Sequence, residues 1–190
     1  MARRNDHTKD ELKLLVIESA TKIIEEEGLE SLSTRKIATD IGYAAGTLYN
    51  IFKNTDDIIL HINSRTMSEI TEVFNAPEKI YVLNDLLNII IHYLNYIEEN
   101  TALWSCLFIY KTSNKNLPDW YIEKLELIIN DIANSLPPEN SNNQDEAELI
   151  WNAVNGICFV GSTSLSIGGG FYKTKEKCLR FALKYLRKPL

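Results

Sequence analysis

The sequence predicts an all-α fold in which an N-terminal head with a three-helix helix-turn-helix precedes a C-terminal helical bundle. Apolar residues recur at helical spacing along the chain, and no strand-like alternation interrupts them. Prolines and a Gly-Gly-Gly run mark the breaks between helices. The 190 residues suffice for two small domains with separate cores, which we expect at residues 1–55 and 56–190.

The first helix is predicted from about Lys9 to Glu27. Thr8 is a favourable N-cap for it, and Gly28 is a favourable stop. One face of this helix is apolar and is formed by Leu12, Leu15, Val16, Ala20, Ile23 and Ile24. We expect that face to pack beneath the helices that follow.

Two short helices are predicted next, across a glycine turn. Ser33 is a good N-cap for the first of them, in which Ile37 and Ile41 lie one turn apart on an apolar face. Gly42 tolerates the positive φ that ends many helices. The second short helix is predicted over about residues 44–52.

The outward side of this second helix carries small, hydroxyl, amide and basic residues, namely Ala45, Gly46, Thr47, Tyr49, Asn50 and Lys53. Such residues can enter a major groove and reach phosphates or base edges. Asn54 and Asp57 form a capping pair that opens a longer helix, whose N-terminal amides could face a phosphate. The layout is that of a DNA-reading helix-turn-helix, although an ordinary helical hairpin at a domain edge would also produce it.

The same stretch resembles the N-terminal domain of the TetR (tetracycline-repressor) family of transcriptional regulators. The family pattern is roughly Leu-Thr-x-Arg-x-Ile-Ala-x-x-x-Gly-Val-Ser-x-Gly-Thr-Leu-Tyr-x-x-Phe-x-x-Lys-x-x-Leu. The matching residues in this chain are Leu32, Arg35, Ile37, Ala38, Gly42, Gly46, Thr47, Leu48, Tyr49 and Phe52.

The resemblance implies specific contacts with DNA. Ser33 and Tyr49 would contact phosphates, Arg35 would contact a base edge or a phosphate, and Thr47 and Asn50 would lie within the groove. The full set of DNA-binding residues expected on this basis is Ser33, Thr34, Arg35, Tyr43, Ala45, Gly46, Thr47, Tyr49, Asn50, Lys53 and Thr55.

Three positions depart from the family pattern. Ala44 replaces the serine that usually caps the reading helix, and Tyr43 replaces a small aliphatic residue. Thr55 replaces a lysine that commonly meets the DNA backbone. The change at Thr55 weakens the expected phosphate clamp, for which Lys53 could substitute.

The charge balance of the chain is acidic, with 20 lysines and arginines against 26 aspartates and glutamates and a net charge of −6. Residues 1–60 alone carry eight basic and eleven acidic side chains. A favourable field for DNA must therefore be local, at Arg35, Lys36 and Lys53, with Asp40 as the one acid among them. Binding is then expected to be salt-sensitive and sequence-selective.

Beyond the head, helices are predicted over residues 55–75, 78–99, 102–113, 118–135, 144–167 and 172–187. This region is rich in aromatic residues, which usually pack in a core but also line pockets for apolar ligands. We expect a pocket for a small apolar or amphipathic effector lined by His92, Tyr96, Trp104, Phe108, Trp120, Trp151, Asn155 and Phe159. Core and interface packing is the alternative.

A second resemblance lies in residues 150–157, which are similar to the Trp-x-x-x-His-Gly stretch of one TetR-family C-terminal domain class, with Asn155 in place of the histidine. In the family, the last two helices form a four-helix dimer interface. Residues 144–167 and 172–187 are therefore expected to join two copies of the chain. A dimer would also supply a second reading helix for a second DNA half-site.

Enzyme activity, a cofactor, a metal site and membrane insertion are not expected. The chain lacks HExxH, GxSxG, P-loop and dinucleotide-binding motifs, and its longest apolar stretches are too short to span a bilayer. Cys106, Cys158 and Cys178 are widely spaced and form no CxxC pair. We expect them to be reduced core residues of a cytoplasmic protein, with a redox-sensing thiol as the alternative.

These observations predict a ligand-responsive, homodimeric transcriptional repressor that binds a partly palindromic DNA operator. One alternative is a helical ligand-binding or protein-interaction module whose degenerate head does not bind DNA. Another is a DNA-binding regulator that responds to a protein partner instead of a small molecule.

Overall fold

The structure, a computed structural model, describes residues 7–75, 85–109, 117–137, 143–162 and 170–186. Over these ranges it contains helices and turns and no β-strand, so the predicted all-α class is confirmed. The helices are α1 (Lys9–Glu27), α2 (Thr34–Asp40), α3 (Ala45–Leu48), α4 (Thr55–Phe74), α5 (Asp85–Glu99), α6 (Thr101–Ile109), α7 (Asp119–Asn134), α8 (Asn143–Ser162) and α9 (Gly170–Leu186).

A short 3-10 helix, Leu29–Ser31, follows α1. The predicted helical residues 78–84, 110–113, 163–167 and 187 lie outside the described part of the chain. In the part that is described, every helix is too short or too polar to cross a membrane.

The chain divides into two compact units. The first unit contains Met1–Thr66 and Thr101–Tyr121, and the second contains Met67–Asn100 and Ile122–Leu190. The first unit holds α1 to α3 together with α6, which packs against α1. The predicted domain boundary between residues 55 and 56 remains a prediction.

Local capping fixes both ends of α1. The Glu11 amide donates to Thr8 Oγ1 at 3.3 Å, and the Thr8 amide donates to Glu11 Oε2 at 2.7 Å, which completes a capping box. The bond from the Thr8 amide lowers the pKa of the Glu11 carboxyl. At the other end, Gly28 has a φ of 87° and donates its N–H to Ile24 O. The predicted limits of the first helix are confirmed.

A single apolar core holds the helices of the first unit together. Its buried residues are Leu12, Val16, Ala20, Ile23, Ile24, Ile37, Ala38, Leu48, Phe52, Ile58, Ile62, Leu103 and Cys106. Full burial of one such large aliphatic or aromatic side chain stabilises a fold by roughly 1.5–3 kcal/mol. The two short helices α2 and α3 therefore depend on this shared core for their position, because helices of their length are not stable alone.

His61 of α4 lies at the edge of this core, between two aromatic rings. Its imidazole stacks on Trp120 with the ring centroids 4.9 Å apart, and it meets Phe52 edge-on at 5.5 Å. Its Nε2 lies 3.9 Å from Asp57 Oδ1. Burial lowers the pKa of His61, and Lys13 lowers it further, while Asp57 opposes both. The folded first unit therefore favours the neutral imidazole.

In the second unit, α9 packs against α8 and α5. Gly161 of α8 lies against Thr174 of α9, and Cys158 Sγ lies 3.8 Å from Cys178 Sγ. From the first contact to the second, the residue number falls from 161 to 158 on α8 and rises from 174 to 178 on α9. The two helices therefore pack antiparallel. Gly161 permits their close approach, since it places no side chain in the space that Thr174 fills.

We predict that Gly161→Ala destabilises the protein. A Cβ at this position would lie 2.8 Å from Thr174 Cγ2 and closer still to its hydroxyl, and Thr174 is buried, so its side chain cannot turn away freely. Overpacking of this kind costs about 1–3 kcal/mol, more than the improved helix propensity returns. Urea denaturation followed by circular dichroism would measure the difference.

Gly156→Ala on the same helix is the matched control. A Cβ there would have no atom within 4 Å to meet, so the change should leave stability unaltered or raise it by up to about 1 kcal/mol. Equal loss of stability in the two variants would contradict the assigned close contact.

We also predict that His61 makes the stability of the protein pH-dependent. The folded state binds a proton at His61 less readily than the unfolded chain, so the free energy of unfolding should fall as the pH drops through the ordinary histidine pKa. Denaturant titrations at about pH 7.5 and about pH 5.5 would bracket that pKa. In His61→Gln the loss between the two pH values should be smaller, whereas an unchanged loss would assign it to other groups.

Candidate nucleic-acid interface

The turn between α2 and α3 is a glycine-terminated helix end. Gly42 has a φ of 74° and donates its N–H to Thr39 O at 3.3 Å. The Tyr43 amide reaches back to Ala38 O at 2.8 Å, which completes the hydrogen-bond pattern of a Schellman motif. Both bonds satisfy carbonyls that the end of α2 would otherwise leave open. The predicted roles of Ser33 as N-cap and Gly42 as terminator are confirmed, since Ser33 Oγ also accepts from the Lys36 amide.

The helix that follows is shorter than predicted. The sequence predicted a helix over about residues 44–52, but α3 spans Ala45–Leu48 and continues only as a turn, in which Asn50 N–H bonds to Thr47 O. Two local features explain this difference. Ala44 supplies no side-chain cap, and Gly46 disfavours helix by about 1 kcal/mol relative to alanine. Leu48 still lies fully buried, so α3 keeps its predicted inward face.

The start of α4 holds the backbone of Lys53 in place. Asn54 Oδ1 accepts from the Asp57 amide at 2.9 Å, which confirms the predicted capping pair. Asp57 Oδ2 in turn accepts from the Lys53 amide at 2.9 Å. The Lys53 side chain remains exposed at this ordered chain position.

A hydroxyl pair joins the starts of α2 and α4. Thr34 Oγ1 lies 3.1 Å from Thr55 Oγ1, and Thr34 is only 7% exposed. This contact brings Ser33 and Arg35 close to the segment that carries Lys53. Among the predicted DNA-binding residues, Thr34 and Thr55 therefore turn toward each other.

Six of the predicted DNA-binding residues are exposed on these adjoining segments. We call them the contact surface, which consists of Ser33, Arg35, Gly46, Tyr49, Asn50 and Lys53. Tyr49 is 58% exposed, an unusual state for a large aromatic side chain. Ala45 and Thr47 are half-buried, with Ala45 packed against the core of the first unit. The surface combines hydroxyl, amide and basic groups, which suit hydrogen bonds to phosphates and base edges.

Among the residues that the structure describes, Gly46 has no neighbour that would explain its lack of a side chain. A Cβ at this position would meet no atom within 4 Å, and its backbone does not adopt a positive φ. Neither intramolecular packing nor backbone conformation therefore requires glycine here. A glycine on an exposed surface allows the backbone to approach a bound partner closely.

The charges of the contact surface come from two residues. Lys36 Nζ forms an ion pair with Glu27 on α1, so this lysine is directed away from the contact surface toward α1. Over the ranges that the structure describes, Arg35 and Lys53 form no ion pair. The local positive field predicted for three cations therefore rests mainly on these two.

Tyr43 has a contact that the sequence analysis did not anticipate. Its hydroxyl lies 2.6 Å from His7 Nδ1, and its ring packs against the core of the first unit. The two residues are 36 positions apart, and no local pattern in the sequence links them. Tyr43 therefore ties the chain ahead of α1 to the α2–α3 turn.

The eight residues predicted to line an effector pocket fall into both units. Trp104, Phe108 and Trp120 belong to the first unit, whereas His92, Tyr96, Trp151, Asn155 and Phe159 belong to the second. Trp104 packs on Phe108 with the ring centroids 5.2 Å apart. In the second unit the Tyr96 hydroxyl donates to Glu69, His92 is half-buried, and Phe159 is 37% exposed.

Trp151 and Asn155 meet in the interior of the second unit, through Tyr93. The Tyr93 hydroxyl donates to Asn155 Oδ1 at 2.6 Å, and the Tyr93 ring stacks on Trp151 at 5.2 Å. Asn155 Nδ2 donates to Trp151 O at 2.8 Å. A small apolar cavity beside this cluster is lined by Phe74, Leu86, Ile89, Ile90, Tyr93, Ile132, Ile150, Trp151 and Val154. Its interior of about 10 Å³ has room for about one water molecule, far less than an effector needs.

Comparison with known sequences identifies the helix-turn-helix region. Residues 16–62 match the family model described as bacterial regulatory proteins, tetR family. An HTH-type transcriptional regulator of Staphylococcus aureus (strain USA300) is 30% identical over 92 residues, which cover 47% of this chain and 50% of that protein. The match with this and the other curated relatives therefore spans about half of their length.

Comparison with solved structures extends the likeness to the whole fold. A protein of unknown function from Rhodococcus sp. RHA1 has a TM-score of 0.72 at 12% identity, covering 98% of this chain and 100% of that one. A TetR-family transcriptional regulator from Streptomyces coelicolor has a TM-score of 0.65 at 15% identity, covering 92% and 96%. Such low identities establish the shared fold alone. Residues 16–62 therefore resemble the tetR family of bacterial regulatory proteins, and the chain as a whole shares the fold of a solved TetR-family regulator.

Proposed function

We propose that this protein is a sequence-specific, DNA-binding transcriptional regulator that acts as a ligand-responsive homodimeric repressor in the cytoplasm. The observation that carries the proposal is the contact surface. It presents hydroxyl, amide and basic side chains around an exposed glycine, on the segment that matches the tetR family model. Among the residues that the structure describes, no contact accounts for the exposure of Tyr49 or for glycine at position 46, whereas approach to a DNA backbone would account for both.

Within this proposal the contact surface and its half-buried neighbours Ala45 and Thr47 divide into two roles. Ser33, Tyr49 and Lys53 bind phosphates and so fix the position of the protein on DNA. Arg35, Thr47 and Asn50 reach toward base edges in the major groove, with Ala45 and Gly46 permitting close approach.

In this scheme Thr34, Tyr43 and Thr55 contribute by holding neighbouring residues in place. The Thr34–Thr55 hydroxyl pair supports the register between Ser33 and Lys53, and Tyr43 supports the turn ahead of α3. Thr55 stands where the family pattern has a lysine, and its hydroxyl pairs with that of Thr34. Lys53 is therefore the cation of this segment that would bind the DNA backbone.

We propose a homodimer formed through α8 and α9. Both helices carry large apolar side chains on their exposed faces, namely Leu149, Phe159, Val160, Tyr172 and Leu183. Tyr172 is 76% exposed and Leu149 is 54% exposed, which would be costly on a surface that stays in water. Two-fold pairing would bury these side chains and supply two contact surfaces for the two halves of a partly palindromic operator.

The proposed effector is a small apolar or amphipathic molecule bound in the second unit. The apolar cavity beside Tyr93 and Trp151 supports this class of ligand, because its lining is aliphatic and aromatic with the Asn155 amide close by. The cavity must expand to admit such a molecule. An effector that binds the expanded form more tightly than the closed form would shift the population of the dimer away from the DNA-binding arrangement.

A second candidate is a helical ligand-binding or protein-interaction module that does not bind DNA. The acidic charge of residues 1–60 and the pairing of Lys36 with Glu27 favour it, since they leave few cations for phosphates. A regulator controlled by a protein partner would share the contact surface but need no expanded cavity.

Fluorescence anisotropy with DNA flanking the protein's own gene separates these candidates. An unrelated duplex of equal length serves as the reference, and each titration is repeated over a salt series. Specific and salt-dependent binding supports the regulator. Equal, weak binding to both duplexes would favour the module that does not bind DNA.

We predict that Arg35→Ala and Tyr49→Phe each weaken operator binding without unfolding the protein. Both side chains are exposed and contribute nothing to the core, so the fold and the dimer should stay intact. Loss of one base-edge or phosphate contact costs about 1–3 kcal/mol, a decrease in affinity of roughly 5- to 150-fold. Anisotropy would measure the affinity, and sedimentation would measure the dimer.

Lys22→Ala is the matched control for Arg35→Ala. It removes one positive charge from the same unit, but Lys22 lies in a groove lined by Glu26, Glu27 and Asp40, where phosphates would be repelled. Its effect on operator affinity should be small. Unchanged affinity in both Arg35→Ala and Tyr49→Phe would refute the assigned contacts.

A further prediction concerns the contribution of Lys53 to the salt dependence of DNA binding. If Lys53 neutralises one phosphate in each half-site, Lys53→Ala should weaken binding to all sequences alike and reduce the slope of log affinity against log salt by about 1 per subunit. Arg35→Ala should instead weaken the operator more than the unrelated duplex. A salt slope that Lys53→Ala leaves unchanged would place this lysine outside the DNA contact.

A further inference from the structure

Two of the three cysteines meet inside the second unit. Cys158 of α8 and Cys178 of α9 are both 0% exposed, and their sulfurs lie 3.8 Å apart. They are 20 residues apart in the sequence, so only the antiparallel packing of the two helices brings them together. The third cysteine, Cys106, belongs to the first unit and lies in its apolar core.

The separation of the two sulfurs is close to that needed for a bond. A disulfide has an S–S length of about 2.05 Å, so the sulfurs would have to approach by roughly 1.8 Å, which side-chain rotation and a small helix shift can supply. The neighbouring contact between Gly161 and Thr174 keeps the two helices close at this level. The hairpin is therefore already arranged for cross-linking.

The two thiols also differ in the direction of their pKa shifts. A hydrogen bond from the Cys158 thiol lowers the pKa of Cys178, although burial acts against this change. The same hydrogen bond, together with burial, raises the pKa of Cys158. Cys106 has no thiol partner, and burial raises its pKa to about 11. When the Cys158 thiol donates the shared hydrogen bond, the thiolate, which is the nucleophilic form, is favoured on Cys178; either sulfur can be the donor.

We propose that Cys158 and Cys178 form an oxidisable pair, which a hydroperoxide converts into a disulfide that closes the α8–α9 hairpin. The Cys178 thiolate attacks the peroxide, its sulfur gains an oxygen as a sulfenic acid, the O–O bond breaks, and the leaving oxygen takes a proton to become water or an alcohol. The Cys158 sulfur then attacks the sulfenic sulfur, the S–O bond breaks, and the released hydroxide takes the thiol proton to form water. Two thiols and one hydroperoxide thereby give one disulfide, one water and one water or alcohol.

The oxidant reaches the pair through local opening of the hairpin. Folded proteins open locally, and such an opening of α8 against α9 would expose the two buried sulfurs to a small hydroperoxide. The reaction concerns α8 and α9 alone, and it does not depend on whether the contact surface binds DNA.

The test is peroxide treatment of the reduced, full-length protein followed by intact mass measurement and non-reducing peptide mapping. We expect the chain to lose the mass of two hydrogen atoms and to show one intrachain link between the peptides containing Cys158 and Cys178. Closing a loop of about 20 residues should also raise the Tm by roughly 10 °C, and dithiothreitol should reverse both changes.

Single variants assign the roles of the three thiols. Cys106→Ser should leave the cross-link and the rise in Tm unchanged. In Cys158→Ser the sulfenic acid on Cys178 should persist long enough to be trapped by dimedone, whereas Cys178→Ser should give little trapped product on Cys158. The wild-type mass measurement decides the matter even if a variant fails to fold.

Retention of all three thiols after peroxide treatment would overturn the proposal and leave the pair as ordinary core residues. Oxidation without a Cys158–Cys178 link, or a link between two chains, would overturn it as well. These outcomes are independent of operator binding, so failure here would not bear on the proposed DNA-binding function.

Discussion

The backbone conformation at Gly42 governs which residues of α3 face outward. Its φ of 74° allows α2 to end in a Schellman motif and the chain to turn back sharply. The turn returns Leu48 to the core that also contains Ile37. Once Leu48 is fixed inward, Gly46 and Tyr49 have only the outward side left to them. The chemistry of the contact surface therefore follows from one residue that tolerates a positive φ.

Features specified within a few residues were predictable from the sequence, and those that depend on distant contacts were not. Thr8 and Gly42 reveal helix ends because each cap or terminator acts on its neighbouring amides and carbonyls. The Thr34–Thr55 pair and the Tyr43–His7 contact join residues 21 and 36 positions apart, which no local periodicity encodes. The predicted effector pocket, whose aromatic residues belong to two compact units, remains a prediction.

The difference between the predicted and the observed length of α3 has a local cause and not a distant one. Residues 46–49 match the family pattern, but Ala44 departs from it and leaves the start of α3 without a side-chain cap, and the glycine at position 46 lowers the helix propensity further. Those costs are offset in the fold by burial of Leu48 and not by intrinsic helix propensity. The contact surface thus rests on packing beneath it. With Lys36 engaged by Glu27, shape and hydrogen bonding must contribute more to any DNA selectivity than overall charge does.

The contact between Gly161 and Thr174 limits which pairs of residues the two positions can hold together. In related chains that keep this antiparallel hairpin, a residue larger than glycine at position 161 requires a smaller residue than threonine at position 174, because both fill the same space. The two positions should therefore vary together. A family alignment in which they covary would mark this helix crossing as inherited, whereas chains that lose the covariation would have repacked the hairpin at a different spacing.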